Sequence, residues 1–192
     1  MPPLDLLRAL DSPQPRLRLS ASKALRDWSR DAPDSLYRQF DRFAALLDGD
    51  NNILKWNAIL TLANLAQVDS EGKLDLLLPR YLAPIEGPVM ITAANTIKGA
   101  AIIARAKPHL AAEIAAGIMR AEEGIYATPE CRNVAIGHAL QALDTMRSVL
   151  QDTRALHRFA IRQTGNPRPS TAKKAIRLLG SLESASKSRS HS

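Results

Sequence analysis

An all-α fold built from repeating helix pairs is predicted by three observations. Ala and Leu are abundant while aromatic residues make up only 4% of the 192-residue chain. That balance suits closely packed helices and disfavours a β-sandwich, whose pleated faces want Val, Ile, Thr, Tyr and Phe. No stretch of useful length alternates apolar and polar residues as a half-buried strand would. The third observation is a pattern that returns five times. It runs Ala21-x-x-Ala24-Leu25-x-x-Trp28, Ala58-x-x-Thr61-Leu62-x-x-Leu65 and Ala93-x-x-Thr96-Ile97-x-x-Ala100. It continues as Ile136-x-x-Ala139-Leu140-x-x-Leu143 and Ala172-x-x-Ala175-Ile176-x-x-Leu179, with starts 37, 35, 43 and 36 residues apart. Positions i, i+3, i+4 and i+7 form one helical face. Small residues on that face let a neighbouring helix come close.

The elements follow in chain order. A short helix over residues 3–11 caps the first pair. The first pattern helix is followed by DSLYRQFDRFAALLD (34–48), with Asp34 as its expected N-cap. The stretch 50–66, DNNILKWNAILTLANLA, is apolar on nearly every side. A helix covered by the helices before it, after it and within its own pair explains that pattern. Asp50 or Asn51 is its expected cap. Residues 73–85 form a second helix that Pro79 kinks or shortens. A helix over 109–123 follows Pro108. A long helix over 147–165 ends at Gly165, a suitable C-cap. Breaks at Gly49, Gly72, Gly87-Pro88, Pro108, Gly124, Pro129 and Pro167 punctuate these segments. The Ser-rich, basic segment 183–192 is expected to be a disordered tail. The organisation is therefore a capping segment (1–14), a repeat domain (15–182) and the tail.

Helix pairs recurring at this period, each with an Ala-rich first helix, resemble the HEAT and armadillo repeat families over about residues 15–182. The resemblance implies a right-handed α-solenoid of about four to five antiparallel pairs, in which each unit contacts only its neighbours. It also implies that the second helix of each pair lines a concave side. That places Tyr37, Arg38, Arg42, Arg80, Arg120, Arg154, Arg158 and Arg162 near that side. Armadillo-like proteins use asparagines to hold the main chain of an extended peptide. The polar stripe Asn57, Thr61 and Asn64 is expected to face solvent or bond to neighbouring backbone. The alternative, implied by the resemblance, is that the stripe, with Trp56 beside it, is a candidate peptide-holding site.

Bulk properties narrow the class. The single cysteine, Cys131, excludes an intramolecular disulfide and a Cys-based zinc site, and points to a reducing cytoplasm. The N-terminus lacks the basic start and apolar core of a secretory signal. No run reaches the roughly 20 clean apolar residues that span a bilayer. The net charge of +7 is uneven: +1 over residues 1–49, −2 over 50–130 and +8 over 131–192. Such a basic C-terminal third suits an acidic partner or a nucleic acid.

The strongest surface signal is a stripe of Arg147, Arg154, Arg158 and Arg162 on the expected helix 147–165, extended by Arg168, Lys173, Lys174 and Arg177. Guanidinium forks suit carboxylates and phosphates. Catalytic signals are weak. His109, His138, His157 and His191 have no metal-ligand spacing, and His138 is expected to be a core or inter-repeat hydrogen-bonder. Cys131 lies near a helix N-terminus beside Arg132, where a thiol becomes more acidic. His138, seven residues on, would be about 10 Å away along the axis. A HEAT-like family that excises alkylated bases from DNA resembles this chain in repeat type and charge. It surrounds the lesion with aromatics and an acid. Trp28 and Trp56 lie instead on first helices, where burial between repeats is expected. The sequence thus points to a non-catalytic scaffold that binds another protein on its surface, without a cofactor, metal or small-molecule substrate. The alternative is nucleic-acid binding or a DNA-repair role through the basic C-terminal third.

Overall fold

A computed structural model describes the backbone of residues 4–189 and the side chains through Ser184. The described residues are all-helical, with no strand among them. They divide into two compact units, Met1–Ala83 and Pro84–Ser192.

The first unit contains α1 (Leu4–Ala9), α2 (Pro15–Asp31), α3 (Asp34–Tyr37), α4 (Phe40–Ala45), α5 (Asn52–Leu65) and α6 (Lys73–Leu82). Pro15 begins α2, where its missing N–H costs nothing. Asn51 caps α5, its side chain accepting from the N–H groups of Ile53 and Leu54 at 3.1 and 3.2 Å. The expected helix 34–48 is instead α3, α4 and a terminal 3-10 turn. Tyr37 and Phe40 both turn inward across the break, edge to face at 6.1 Å. Asp34 is the first helical residue, and Pro33 occupies the cap position. Pro79 lies inside α6, which continues to Leu82 and then tightens into a 3-10 turn.

Leu25, Leu36, Phe43, Ile59, Leu62, Leu74 and Tyr81 are fully buried in this unit. Each contributes about 1.5–3 kcal/mol relative to exposure. Asp69 fastens the start of α6. Its carboxylate accepts from the N–H of Lys73 and Leu74 at 2.9 and 3.0 Å and from the Tyr37 hydroxyl at 2.6 Å. Burial and this acceptor push the Tyr37 hydroxyl up to about 12. The Lys73 ammonium lies 5.6 Å above the Tyr37 ring.

The second unit contains α7 (Met90–Ala106), α8 (Ala111–Met119), α9 (Pro129–Met146), α10 (Arg154–Gln163) and α11 (Pro169–Arg189). Helix α9 packs against both α7 and α11, while α8 packs on α7 and α9. Ile97, Ile103, Ile114, Ile118, Leu143 and Phe159 supply its core. Glycine sets the α9–α11 approach: a Cβ on Gly137 would lie 2.7 Å from Thr171 Oγ1. That hydroxyl donates to Asn133 O at 2.9 Å, and Lys174 Nζ donates to Gly137 O at 3.0 Å. At Gly87, where φ is +99°, a Cβ would overlap the Ile125 carbonyl. The close approach lets Ile125 N–H donate to Glu86 O at 2.9 Å.

Two C-terminal expectations change. Residues 147–165 are not one helix. Helix α9 ends in a 3-10 turn at Arg147–Val149, buried Leu150 is extended, and α10 starts at Arg154. The Asp152 carboxylate accepts from Arg154 N–H at 2.8 Å, a local bond that begins a new helix instead of continuing the old one. Helix α10 ends at Gln163 with Thr164 at its C-cap, so Gly165 is not the cap. The expected disordered tail, 183–192, is helical through Arg189 as the end of α11, and 190–192 lie outside the described residues.

Candidate functional site

The predicted peptide-holding stripe is internal. Asn57 and Thr61 are only 6% and 1% exposed, and Asn64 is half-buried. Asn57 Nδ2 donates to Ser22 Oγ at 2.9 Å, and its Oδ1 accepts from Arg26 Nη1 at 3.0 Å. Asn64 Nδ2 donates to Ser29 Oγ at 2.9 Å, and Thr61 Oγ1 to Asn57 O at 2.9 Å. Three polar residues of α2, at i, i+4 and i+7, thus meet the matching stripe of α5. The stripe therefore neither faces solvent nor leaves its amides free for a peptide, because both asparagines are spent on α2. Trp56 is half-buried beside it. Trp28, expected between repeats, is 38% exposed and donates to Ser35 Oγ at 2.8 Å.

The predicted basic stripe is divided and largely paired. Arg147, on the turn after α9, grips Asp144 at 2.6 Å. Arg154 folds back onto Asp152, whose carboxyl this contact holds down at about 2. Arg162 pairs with Glu122, with Nε 3.2 Å from Oε2. Arg168 pairs with Glu130, and Arg177 lies 3.7 Å from Asp144. Lys174 is half-buried and bonded to a carbonyl. Only Arg158 and Lys173 of the eight have neither an ion pair nor a side-chain hydrogen bond among the described residues.

Arg162 and three arginines outside the stripe share one structural job. Arg42 Nη2 donates to Leu7 O at 2.7 Å and pairs with Asp11 at 2.6 Å. Arg80 Nη2 donates to Ala44 O at 2.9 Å and pairs with Asp48. Arg120 meets Glu86 at 3.2 Å, and Arg162 meets Glu122. Each guanidinium therefore reaches the end of a helical segment 31 to 40 residues earlier in the chain, where a carboxylate stands and carbonyls carry partial negative charge. Tyr37, expected on an open concave side, is buried against Asp69.

Residues 1–83 hold 11 basic and 11 acidic residues, while 84–192 hold 15 and 8, so the second unit carries the entire +7. Its uncompensated cations face a feature that the sequence reading missed. A groove of about 510 Å³ runs between α7 and α9. Ala94, Ile97, Ala101 and Ala142 make its apolar floor, and Lys98, Arg105, His138 and Gln141 stand at its walls. No carboxylate lines it. Lys98 and Arg105 are exposed and have no ion pair or side-chain hydrogen bond among the described residues.

His138 belongs to this groove and not to the core, since it is exposed on α9. Partial desolvation by its neighbours pushes its pKa below the ordinary value, and Lys174 on α11 and Arg168, just before that helix, add repulsion. Lys174 is itself shifted down by desolvation, with Arg177 and Arg168 contributing. Both shifts arise first from burial and second from neighbouring cations, while Lys98 and Arg105 stand unpaired over an apolar floor. Such a site suits a ligand that is anionic and partly apolar. The sequence did contain a signal: Lys98 and Arg105 are seven apart on an otherwise Ala- and Ile-rich helix, so they fall on one face.

The other candidates stay apart. Cys131 is half-buried, and its N–H donates to the Thr128 hydroxyl at 3.1 Å as part of the α9 cap. His191 lies outside the described residues. Among the described residues, no cluster of three or more His, Cys, Asp or Glu could hold a metal. No helix among them is long and apolar enough to cross a membrane. No family model matches the chain, and no curated protein or solved structure shows significant similarity to it.

Proposed function

We propose that this chain is a non-catalytic binding protein of the HEAT-like helical-repeat type, and that it holds an acidic protein partner in the α7–α9 groove. The observation that carries this reading is the groove's composition: an apolar floor, unpaired Lys98 and Arg105 at the wall, and no carboxylate. Hot-spot energy at protein interfaces concentrates where an apolar centre is desolvated inside a polar rim. Helices that keep their own backbone bonds offer such a surface with little reorganisation. The paired arginines of α10 and α11 serve the fold on this reading.

Nucleic-acid binding is the second reading, favoured by one observation: the whole net charge resides in residues 84–192. A fluorescence-anisotropy titration separates the two, comparing a labelled acidic polypeptide with duplex DNA and single-stranded RNA at low and moderate salt. The protein reading expects the polypeptide to bind and K98E/R105E to abolish that binding. Tight nucleic-acid binding with a steep loss on adding salt, together with an inert polypeptide, would replace it with the second reading.

A further inference from the structure

Resting on the reading of the groove as a protein-binding site, we infer that its occupant is an amphipathic α-helix carrying acidic residues seven apart, and not an extended segment. Backbone chemistry makes the distinction. An extended peptide brings one N–H and one C=O per residue that need partners when water is excluded. The groove walls are helices whose backbone groups are already bonded internally. Two of their polar side chains are also engaged: Asn95 Nδ2 donates to Ile91 O, and Thr145 Oγ1 to Gln141 O, each at 2.9 Å. Gln141, His138 and the Asn95 amide oxygen remain, fewer groups than the one donor and one acceptor per residue that an extended main chain brings. A docked helix satisfies its own backbone and asks only for an apolar bed.

The charges set the register. Lys98 and Arg105 are seven residues apart on α7, so their Cα atoms are separated by about 10 Å along the axis. A ligand helix lying along α7 presents acids at the same rise when they are also seven apart. Its apolar residues at the intervening i+3 and i+4 positions then fall between the two cations, over Ala101. The small side chains of the lining, Ala94, Ala101 and Ala142, leave the depth that a larger anchor, such as Leu or Phe, would fill.

The test uses three labelled peptides and the full chain. The first is a helical peptide with a Leu face and Glu residues seven apart. The second has two of its outward residues replaced by proline so that it cannot be helical. The third carries Lys in place of Glu. The expected result is that the first binds at least about tenfold tighter than either other peptide. It gains helical circular dichroism on binding, and both K98E/R105E and Thr145→Trp weaken it about tenfold or more. The second variant fills the groove without changing charge, and the far-ultraviolet spectra of both variants confirm their fold. If the proline peptide binds as tightly as the first and is lost in K98E/R105E, the helix inference is overturned while the groove reading stands. If no acidic peptide binds, or neither variant matters, both fall.

Discussion

Asn57 is held by bonds that no hydrocarbon could replace, because its amide joins Ser22 and Arg26 across the α2–α5 contact. Asn57→Ala should cost about 1–3 kcal/mol in urea unfolding, since it removes the donor to the buried Ser22 hydroxyl and the acceptor of one Arg26 N–H, although Ser22 keeps Leu19 O and Arg26 keeps Asp27. A loss below a few tenths would show that water already satisfies them. The polar spacing at 57, 61 and 64 was legible in the sequence, but its direction was not. Period alone fixes which residues share a face, while the neighbouring helix decides whether that face is wet. His138 shows the converse. Its place on an apolar helix suggested the core, yet it lines the groove with Lys98 and Arg105, where partial burial, then Lys174 on α11 and Arg168 just before that helix, disfavour its charged form. Its folded pKa lies below the ordinary value of about 6.5. The unfolded chain therefore binds the proton more tightly. This residue's contribution to stability is complete above about pH 6.5 and is lost as the pH falls through the window below it. NMR titration should find the His138 midpoint lower than that of an unfolded peptide. An acidic ligand in the groove should raise it, so binding should strengthen as pH falls from about 7 towards 6.

At the scale of elements, the five first helices and the second helices between them were legible, because small residues at i, i+3, i+4 and i+7 recur at a steady period. Boundaries were less so. The break at 150–153 carries neither Gly nor Pro, and only the Asp152 carboxylate bonding to Arg154 N–H marks it. The arginines at 42, 80, 120 and 162 recur at 38, 40 and 42 residues. That spacing was visible, but a surface stripe and a clamp between helices share it until the acids at 11, 48, 86 and 122 are placed against them. Close packing of first helices makes a direct prediction. Gly137→Ala drives a methyl into the Thr171 hydroxyl and should destabilise the second unit by about 1–3 kcal/mol in thermal or urea unfolding. An unchanged midpoint would mean that α11 shifts away freely and that the α9–α11 seam is loose.

For the whole molecule, the separation of charge matters more than its total. The first unit is neutral, and its arginines are largely committed to carboxylates and helix ends, whereas the second unit concentrates +7 and leaves Lys98 and Arg105 unpaired at a groove with no acid in it. A sequence count located the excess, but it could not say which cations were already paired. That depends on residues 31 to 40 positions apart meeting between helices. The most direct measurement is photo-crosslinking in cells expressing the full chain, with the reactive amino acid placed at Gln141 in the groove or at Arg158 on α10. The account predicts a protein adduct from Gln141 that disappears in K98E/R105E, and far less adduct from position 158. Adducts at Gln141 that vanish on nuclease treatment, or adducts formed equally from both positions, would contradict it.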